Sequence, residues 1–238
     1  MPTIRTPAVA GQFYPADPQL HAQVQQFLSQ AKPSVKPPPK AIIVPHAGYV
    51  YSGPVAASAY ARLKPVRDSI SRVVLLGPSH RVGFRGIAVS TMRTFATPLG
   101  QIPVDQKAVE QVQSLPEVGI LEQAHAQEHS LEVHLPFLQE VLGDFTLVPL
   151  VVGDASPAEV GAVLEALWGG PETLIVISSD LSHYHDYQTA RQMDSATSQA
   201  IEALRFEAIG YDQACGRNPV NGLLWVARRK NLHSETVD

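Results

Sequence analysis

Short apolar runs that stop at proline, glycine or a polar residue recur along the chain, and polar residues follow each of them. The first, Ala41–Val44, stops at Pro45 and is followed by His46. Apolar runs of this length beside a breaker are typical of buried strands rather than helices. Three more runs share the form, at residues 73–76, 147–152 and 174–177. The pattern predicts an α/β fold with a mostly parallel central sheet flanked by helices.

Apolar positions at helical spacing separate these strands. Val55, Ala59 and Leu63 share one helix face, and we expect a loop over residues 48–54 before them. A capping box at 156–159 begins the helix that leads into the strand at 174–177, which makes a strand–helix–strand crossover. Pro136 interrupts the apolar pattern of residues 131–142, so that helix is expected to kink or restart there.

Composition limits the class of protein. The chain has 238 residues and reads as one domain over 1–238, in which 1–40 form an N-terminal arm, a helix and a proline-rich linker. A net charge of −4 with scattered Lys and Arg argues against a nucleic-acid partner. No apolar run approaches the roughly 20 residues of a membrane span. We expect a cytoplasmic protein without a membrane partner, and its single cysteine, Cys215, excludes an internal disulfide.

The residues that follow the predicted strands are suited to binding a metal ion. His46 follows the first run, Ser79 and His80 the second, and Asp180 and His183 the last. The carboxyl ends of parallel strands lie at one edge of a sheet, which is where α/β proteins bind ligands. Imidazole and thiolate bind iron, copper and zinc alike, so the residue types do not choose the metal.

Cys215 lies just before a helix that Asn218 and Pro219 are expected to begin, where the helix N-terminus favours negative charge. Further upstream, His125 and His129 precede the predicted helix at 131–142, in a loop able to reach the same sheet edge.

Each candidate also has a structural interpretation. His46 or His80 taken singly is explained by a hydrogen bond to the main chain, whereas two such residues after successive strands favour a metal. Asp180 either caps the next helix or binds metal and orients His183 as an acid or base. For Glu128 and His129 a proton-transfer pair and helix capping stay equally open. His185 reads as an exposed neighbour of His183.

Motifs over nearly the whole chain resemble the Memo family, whose bacterial and archaeal members are called AmmeMemoRadiSam system protein B. These motifs are PHAGYVYSG, GPSH, EHSLEVHLPFLQ, ISSDLSHY and CGRNP, in family order. The resemblance implies a fold similar to class III extradiol dioxygenases. It implies a metal bound by His46, His80 and Cys215, with Asp180 and His183 as further pocket residues. By the same resemblance, His129 falls near the acid/base histidine of the dioxygenases.

The thiolate departs from the two histidines and one carboxylate that hold iron in ring-cleaving dioxygenases, and it favours copper or a redox role. We therefore expect a non-haem iron- or copper-dependent oxidoreductase acting on an unknown small molecule. The alternative is a non-catalytic module that binds a metal or a peptide in a vestigial dioxygenase pocket. Zinc hydrolysis with Asp180 as base is a third possibility. The family resemblance also suggests AMMECR1-like and radical SAM proteins as partners.

Overall fold

The apolar runs of the sequence form the central strands of the main sheet. The computed structural model describes residues 3–33 and 36–238. Residues 34 and 35 of the predicted linker, and residues 1 and 2 of the arm, lie outside the described residues. In chain order the strands are β1 (Ile4–Arg5), β2 (Ala41–Val44), β3 (Arg72–Pro78), β4 (Ile87–Val89), β5 (Thr94–Thr97), β6 (Gly100–Pro103), β7 (Val118–Ile120), β8 (Thr146–Val152) and β9 (Thr173–Ser178).

The main sheet has the strand order β2-β9-β3-β8-β4-β7 and is mostly parallel, because β4 and β8 alone pair antiparallel among these neighbours within the described residues. Every residue of β9 is buried, and so is every residue of β3 after its first. Strands covered on both faces read as continuous apolar runs, which is why the sequence shows them so clearly. The predicted α/β class with a mostly parallel sheet is confirmed.

Helices connect and flank these strands. They are α1 (Gln19–Gln30), α2 (Tyr49–Tyr60), α3 (Gln106–Val112), α4 (Glu122–Ala126), α5 (His129–Glu132), α6 (Leu135–Leu142), α7 (Pro157–Leu167), α8 (Tyr187–Glu202) and α9 (Arg217–Arg229). Helices α7 and α9 pack on each other, and α1 packs on α2 and α6. The described part of the chain has no helix long and apolar enough to cross a bilayer.

Helix α2 begins earlier than its sequence predicts. The expected loop over residues 48–54 is wrong beyond Gly48, because Ser52, Gly53 and Pro54 all lie inside the helix. Gly53 allows α2 to pack closely against α1, because a Cβ at this position would lie 2.4 Å from the ring of Phe27. Pro54 deprives Val50 of a main-chain donor, but Val50 is exposed and water can serve its carbonyl. Tertiary packing thus overrides two residues that usually end helices.

The other helix boundaries follow local signals more closely. Ser156 and Glu159 form the expected capping box at the start of α7. Pro136 lies in the first turn of α6, so the helix restarts there as predicted. Helix α9 begins at Arg217 with Gly216 as its N-cap, so the start predicted at Asn218 and Pro219 is late. The Asn218 amide instead donates to the carbonyl of Gly153, which ties α9 to the end of β8.

The N-terminal arm is held by a buried polar network. Arg5 in β1 pairs with Glu132 of α5 and also donates to the carbonyls of His125 and Glu128. The Tyr14 hydroxyl donates to Glu132 at 2.6 Å. Burial, followed by the charge of Glu132, raises the pKa of Tyr14, so this phenol stays a donor. The arm is therefore fixed against the segment that carries Glu128 and His129.

Candidate metal centre

Two histidines and an aspartate meet at the carboxyl edge of the main sheet. His46 lies two residues past β2, His80 two past β3, and Asp180 two past β9, and these three strands are neighbours in parallel. The ring centroids of His46 and His80 are 5.0 Å apart. The sheet therefore places the two histidines together, as the sequence predicts.

Cys215 reaches the same edge from the N-terminal side of α9. Its Sγ lies 3.4 Å from Nε2 of His46, and the main-chain N–H of Asp180 donates to that sulfur at 3.3 Å. Gly216 makes this approach possible, because a Cβ there would lie 2.4 Å from the carbonyl oxygen of Ser178. The absence of a side chain at Gly216 thus brings α9 against the end of β9 and places the thiol in the site.

His46, His80 and Cys215 form a candidate site, here called the metal centre for brevity, and offer two ring nitrogens and one sulfur. These three atoms all lie within 4.8 Å of one another. Ligands about 2.0–2.3 Å from one tetrahedral ion lie roughly 3.3–3.8 Å apart, so small side-chain movements suffice to bind an ion. The donor set and its spacing fit iron, copper or zinc.

Glu128 supports His80. Its Oε1 accepts from Nδ1 of His80 at 2.9 Å and from the main-chain N–H of Ser130 at 3.0 Å, and its Oε2 accepts from the His80 N–H at 2.6 Å. Burial disfavours the carboxylate, but these hydrogen bonds outweigh it and lower the pKa of Glu128 to about 2. The capping interpretation of Glu128 is confirmed, because its side chain caps α5. Glu128 also orients His80, a role that the sequence did not reveal.

The charge of Glu128 also affects the pKa of His80. Burial alone lowers the pKa of His80, whereas its hydrogen bonds to Cys215 and Glu128 raise it to about 9. His46 differs, since its ring is almost fully buried and burial lowers its pKa well below the usual range, followed by the effect of His80. The two ring systems of the metal centre thus have opposite electrostatic environments.

Asp180 links the main chain to the site. Its Oδ1 accepts from the N–H groups of His46 and Ala47, at 2.7 and 3.2 Å. Its Oδ2 lies 3.8 Å from Nε2 of His46 and 3.8 Å from Nε2 of His183. Asp180 therefore holds the main chain of His46 and has its second oxygen near both rings. The alternative as the cap of α8 is wrong because Asp186 occupies that position.

His129 and His183 flank the metal centre on different sides. The His129 ring stacks on that of His80 with centroids 4.5 Å apart, and the ring of Phe13 covers it at 4.6 Å. Burial, then the charge of His80, lowers the pKa of His129. His183 is 43% exposed and forms a second potential ligand group with Asp180 and Cys215.

The expectation that His125 reaches the site is wrong. His125 lies in α4, is buried, and its Nε2 donates to the carbonyl of Ala88 in β4 at 3.0 Å. This hydrogen bond to the main chain of β4 fixes the orientation of the His125 ring. His185 is exposed, in agreement with its expected place outside the site.

Comparison with known proteins identifies the family. The model of the Memo-like protein family matches residues 5–237 of this chain. The chain belongs to the Memo-like protein family. The MEMO1 family protein of Aquifex aeolicus is 38% identical over 226 residues, which cover 91% of this chain and 83% of that protein.

Other Memo-like relatives come from distant organisms. The MEMO1 family protein of Sulfolobus acidocaldarius is 35% identical, over 95% of this chain and 88% of the relative. Protein MEMO1 of Xenopus laevis is 36% identical, over 90% of this chain and 81% of the relative. The family match therefore covers nearly all of this chain, including His46, His80 and Cys215.

Proposed function

We propose that this Memo-like protein is a metal-dependent oxidoreductase that acts on an unknown small molecule, with iron or copper held by His46, His80 and Cys215. The observation that carries the proposal is the convergence of two ring nitrogens and one thiol within 4.8 Å, from residues far apart in the chain. Nε2 of His46 and Sγ of Cys215 lie 3.4 Å apart, so the two donor atoms already face each other at hydrogen-bond distance.

The site residues divide between binding and proton transfer. When bound, iron or copper would supply one-electron redox chemistry. Burial lowers the pKa of His129 and so favours its neutral form, and its Nδ1 lies 3.3 Å from Oε1 of Glu128. We propose that His129 accepts a proton at the wall of the site. The Phe13 ring over His129 limits access of water from that side.

The thiol argues against catechol ring cleavage as the reaction. Ring-cleaving non-haem iron enzymes use two histidines and a carboxylate as a facial triad. Here the third donor is the softer Cys215, while Asp180 holds main-chain N–H groups through one of its oxygens. A redox-active Cys215 in the site would favour oxidation of a reductant over ring cleavage, with copper as the better-matched ion.

Oxygen uptake tests the proposed activity. Protein loaded with Fe(II) or Cu(I) is mixed with ascorbate, or with each of a set of catechols, and oxygen is followed with an electrode. We expect uptake that the Cys215→Ser variant reduces at least 10-fold and that the His185→Ala variant, altered at an exposed neighbour, retains. Absence of uptake with either metal, in protein that demonstrably holds the ion, would contradict the activity.

Exposed aromatic side chains favour a second candidate, the non-catalytic binding module. Tyr184, next to His183, is fully exposed, and Tyr51 near the start of α2 is 81% exposed. Aromatic side chains with a free hydroxyl are common in surfaces that bind peptides. Peptide binding that depends on Tyr184, without oxygen uptake, would favour this candidate.

Partners and compartment follow from the proposed chemistry and the family resemblance. A reducing cytoplasm would keep the Cys215 thiol free, and we propose that location. Association with AMMECR1-like and radical SAM proteins has the family resemblance as its support. Copurification with tagged protein from its native cell tests both partners.

A further inference from the structure

Ser178 is a buried serine in contact with the metal centre that the proposed function has not used. It is the last residue of β9, is fully buried, and pairs with Val44 of β2 in the parallel ladder. Its Oγ lies 2.6 Å from Nδ1 of His46. The same oxygen lies 2.6 Å from the carbonyl oxygen of Ser130 in α5.

These two contacts determine where the protons lie. A hydroxyl has one proton to donate, and a carbonyl oxygen can only accept. The Ser178 hydroxyl therefore donates to Ser130, and its lone pair faces Nδ1 of His46. That nitrogen must then carry the ring proton, since otherwise two acceptors would share a single donor. The other tautomer would leave Nδ1 as a buried acceptor without a donor, which makes that tautomer rare.

The proton on Nδ1 leaves the lone pair of His46 on Nε2. Nε2 is the nitrogen that lies 3.4 Å from Sγ of Cys215. We propose that Ser178 is a positioning residue that holds His46 in its Nδ1–H tautomer and so presents Nε2 to the ion. The role of Ser178 in metal binding rests on the proposed function. The tautomer of His46 does not depend on it.

His80 reaches the same result by a different route. Its Nδ1 contacts the carboxylate of Glu128, a charged acceptor, whereas Nδ1 of His46 contacts a neutral hydroxyl whose direction the main chain fixes. Partners that orient a ligand histidine in this way commonly change metal affinity 10–100-fold when they are removed. Ser178 therefore contributes to the site without touching the ion.

The tautomer can be measured in metal-free full-length protein. Two-bond ¹⁵N–¹H correlation spectra of protein with ¹⁵N-labelled histidine distinguish the two neutral tautomers, and His46→Gln assigns the signal. We expect the Nδ1–H form for His46 in the wild type and a mixture in Ser178→Ala. The matched control is Ser52→Ala, which removes a buried hydroxyl whose hydrogen bond goes to the Ala47 carbonyl instead of to a histidine ring. This control should keep the wild-type tautomer.

Zn²⁺ affinity, measured against a chromophoric chelator, supplies the second readout. We expect Ser178→Ala to weaken Zn²⁺ binding 10–100-fold, Ser178→Thr to restore part of that loss, and Ser52→Ala to leave it unchanged. A wild-type His46 in the Nε2–H form would overturn the inference, even if Ser178→Ala did not fold. An unchanged tautomer in folded Ser178→Ala would overturn it too. Neither measurement uses oxygen uptake. Failure of the proposed activity can therefore be distinguished from failure of this inference.

Discussion

At the scale of single residues, the partners of the two histidines determine whether their rings can act as ligands. Glu128 and Ser178 each fix one ring through Nδ1. The strand-end positions of His46 and His80 could be predicted because apolar runs mark the strands. Glu128 and Ser178 could not be assigned to them, because which side chain meets which ring depends on packing between α5, β3 and β9. A serine at the end of a strand has no sequence feature that indicates a histidine partner.

The Glu128→Gln substitution tests the support of His80. The two oxygens of Glu128 accept three hydrogen bonds. The amide retains the volume but lacks the charge, and its NH₂ group replaces one of these acceptors by a donor. We expect Zn²⁺ affinity to fall 10–100-fold in titrations against a chelator. Glu122→Gln is the control, because Glu122 contacts Ser90 and Thr91 instead. An equal loss of Zn²⁺ affinity in both variants would indicate a general effect of removing a carboxylate. It would contradict a specific role of Glu128 at His80.

Burial of His125 makes the free energy of unfolding depend on pH. Its pKa is lowered to about 4 by burial, against an unfolded value near 6.5. Between these values the unfolded chain binds more protons, so stability falls as pH decreases from about 6.5 towards 4. This contribution is on the order of 2–3 kcal/mol by pH 4, at about 1.4 kcal/mol per pKa unit.

Urea unfolding of wild type and His125→Gln at pH 7, 5.5 and 4 measures this dependence. Glutamine can keep the hydrogen bond to Ala88 but does not titrate, so the variant should lose less stability on acidification. An equal loss of unfolding free energy on acidification in the two proteins would contradict the assignment of this pH dependence to His125.

At the scale of elements, the approach of α9 to the sheet edge completes the metal centre. The start of α9 was predicted two residues late because Asn218 and Pro219 form a strong local signal, whereas the requirement for Gly216 arises from contact with β9. Similarly, Gly53 and Pro54 signal a loop in the sequence, but contact with α1 keeps them in α2. Local signals thus predicted that these helices exist, and tertiary contacts determined where they begin.

Gly216→Ala tests the contribution of α9. The added methyl would lie 2.4 Å from the Ser178 carbonyl oxygen, so α9 and Cys215 must shift away from the sheet. We expect at least a 10-fold loss of Zn²⁺ affinity and a destabilisation of about 1–3 kcal/mol, as for other overpacked sites. Gly83→Ala is the control, because a Cβ there has no described atom within 4 Å. Unchanged affinity in Gly216→Ala would show that the close approach is not required.

At the scale of the whole molecule, the N-terminal arm and the segment that forms one wall of the site are joined by Arg5, Tyr14 and Glu132. Hydrophobic patterning does not reveal such a network, because its charged members read as surface positions in the sequence. Glu132→Ala would leave the buried Arg5 guanidinium without its carboxylate partner, and loss of one member of a buried ion pair typically costs about 3–5 kcal/mol. Urea unfolding measures this loss. Glu165→Ala, which breaks an exposed pair with Arg229, should cost at most about 1 kcal/mol, and equal costs would contradict the role of the network.

Metal analysis tests most directly whether the whole molecule binds an ion through residues distant in sequence. Protein purified without added metal is analysed by mass spectrometry for iron, copper and zinc, beside a His46→Ala, Cys215→Ala double variant shown to be folded by circular dichroism. We predict close to one ion per wild-type chain and little metal in the double variant. Equal metal content in the two proteins would contradict the metal centre.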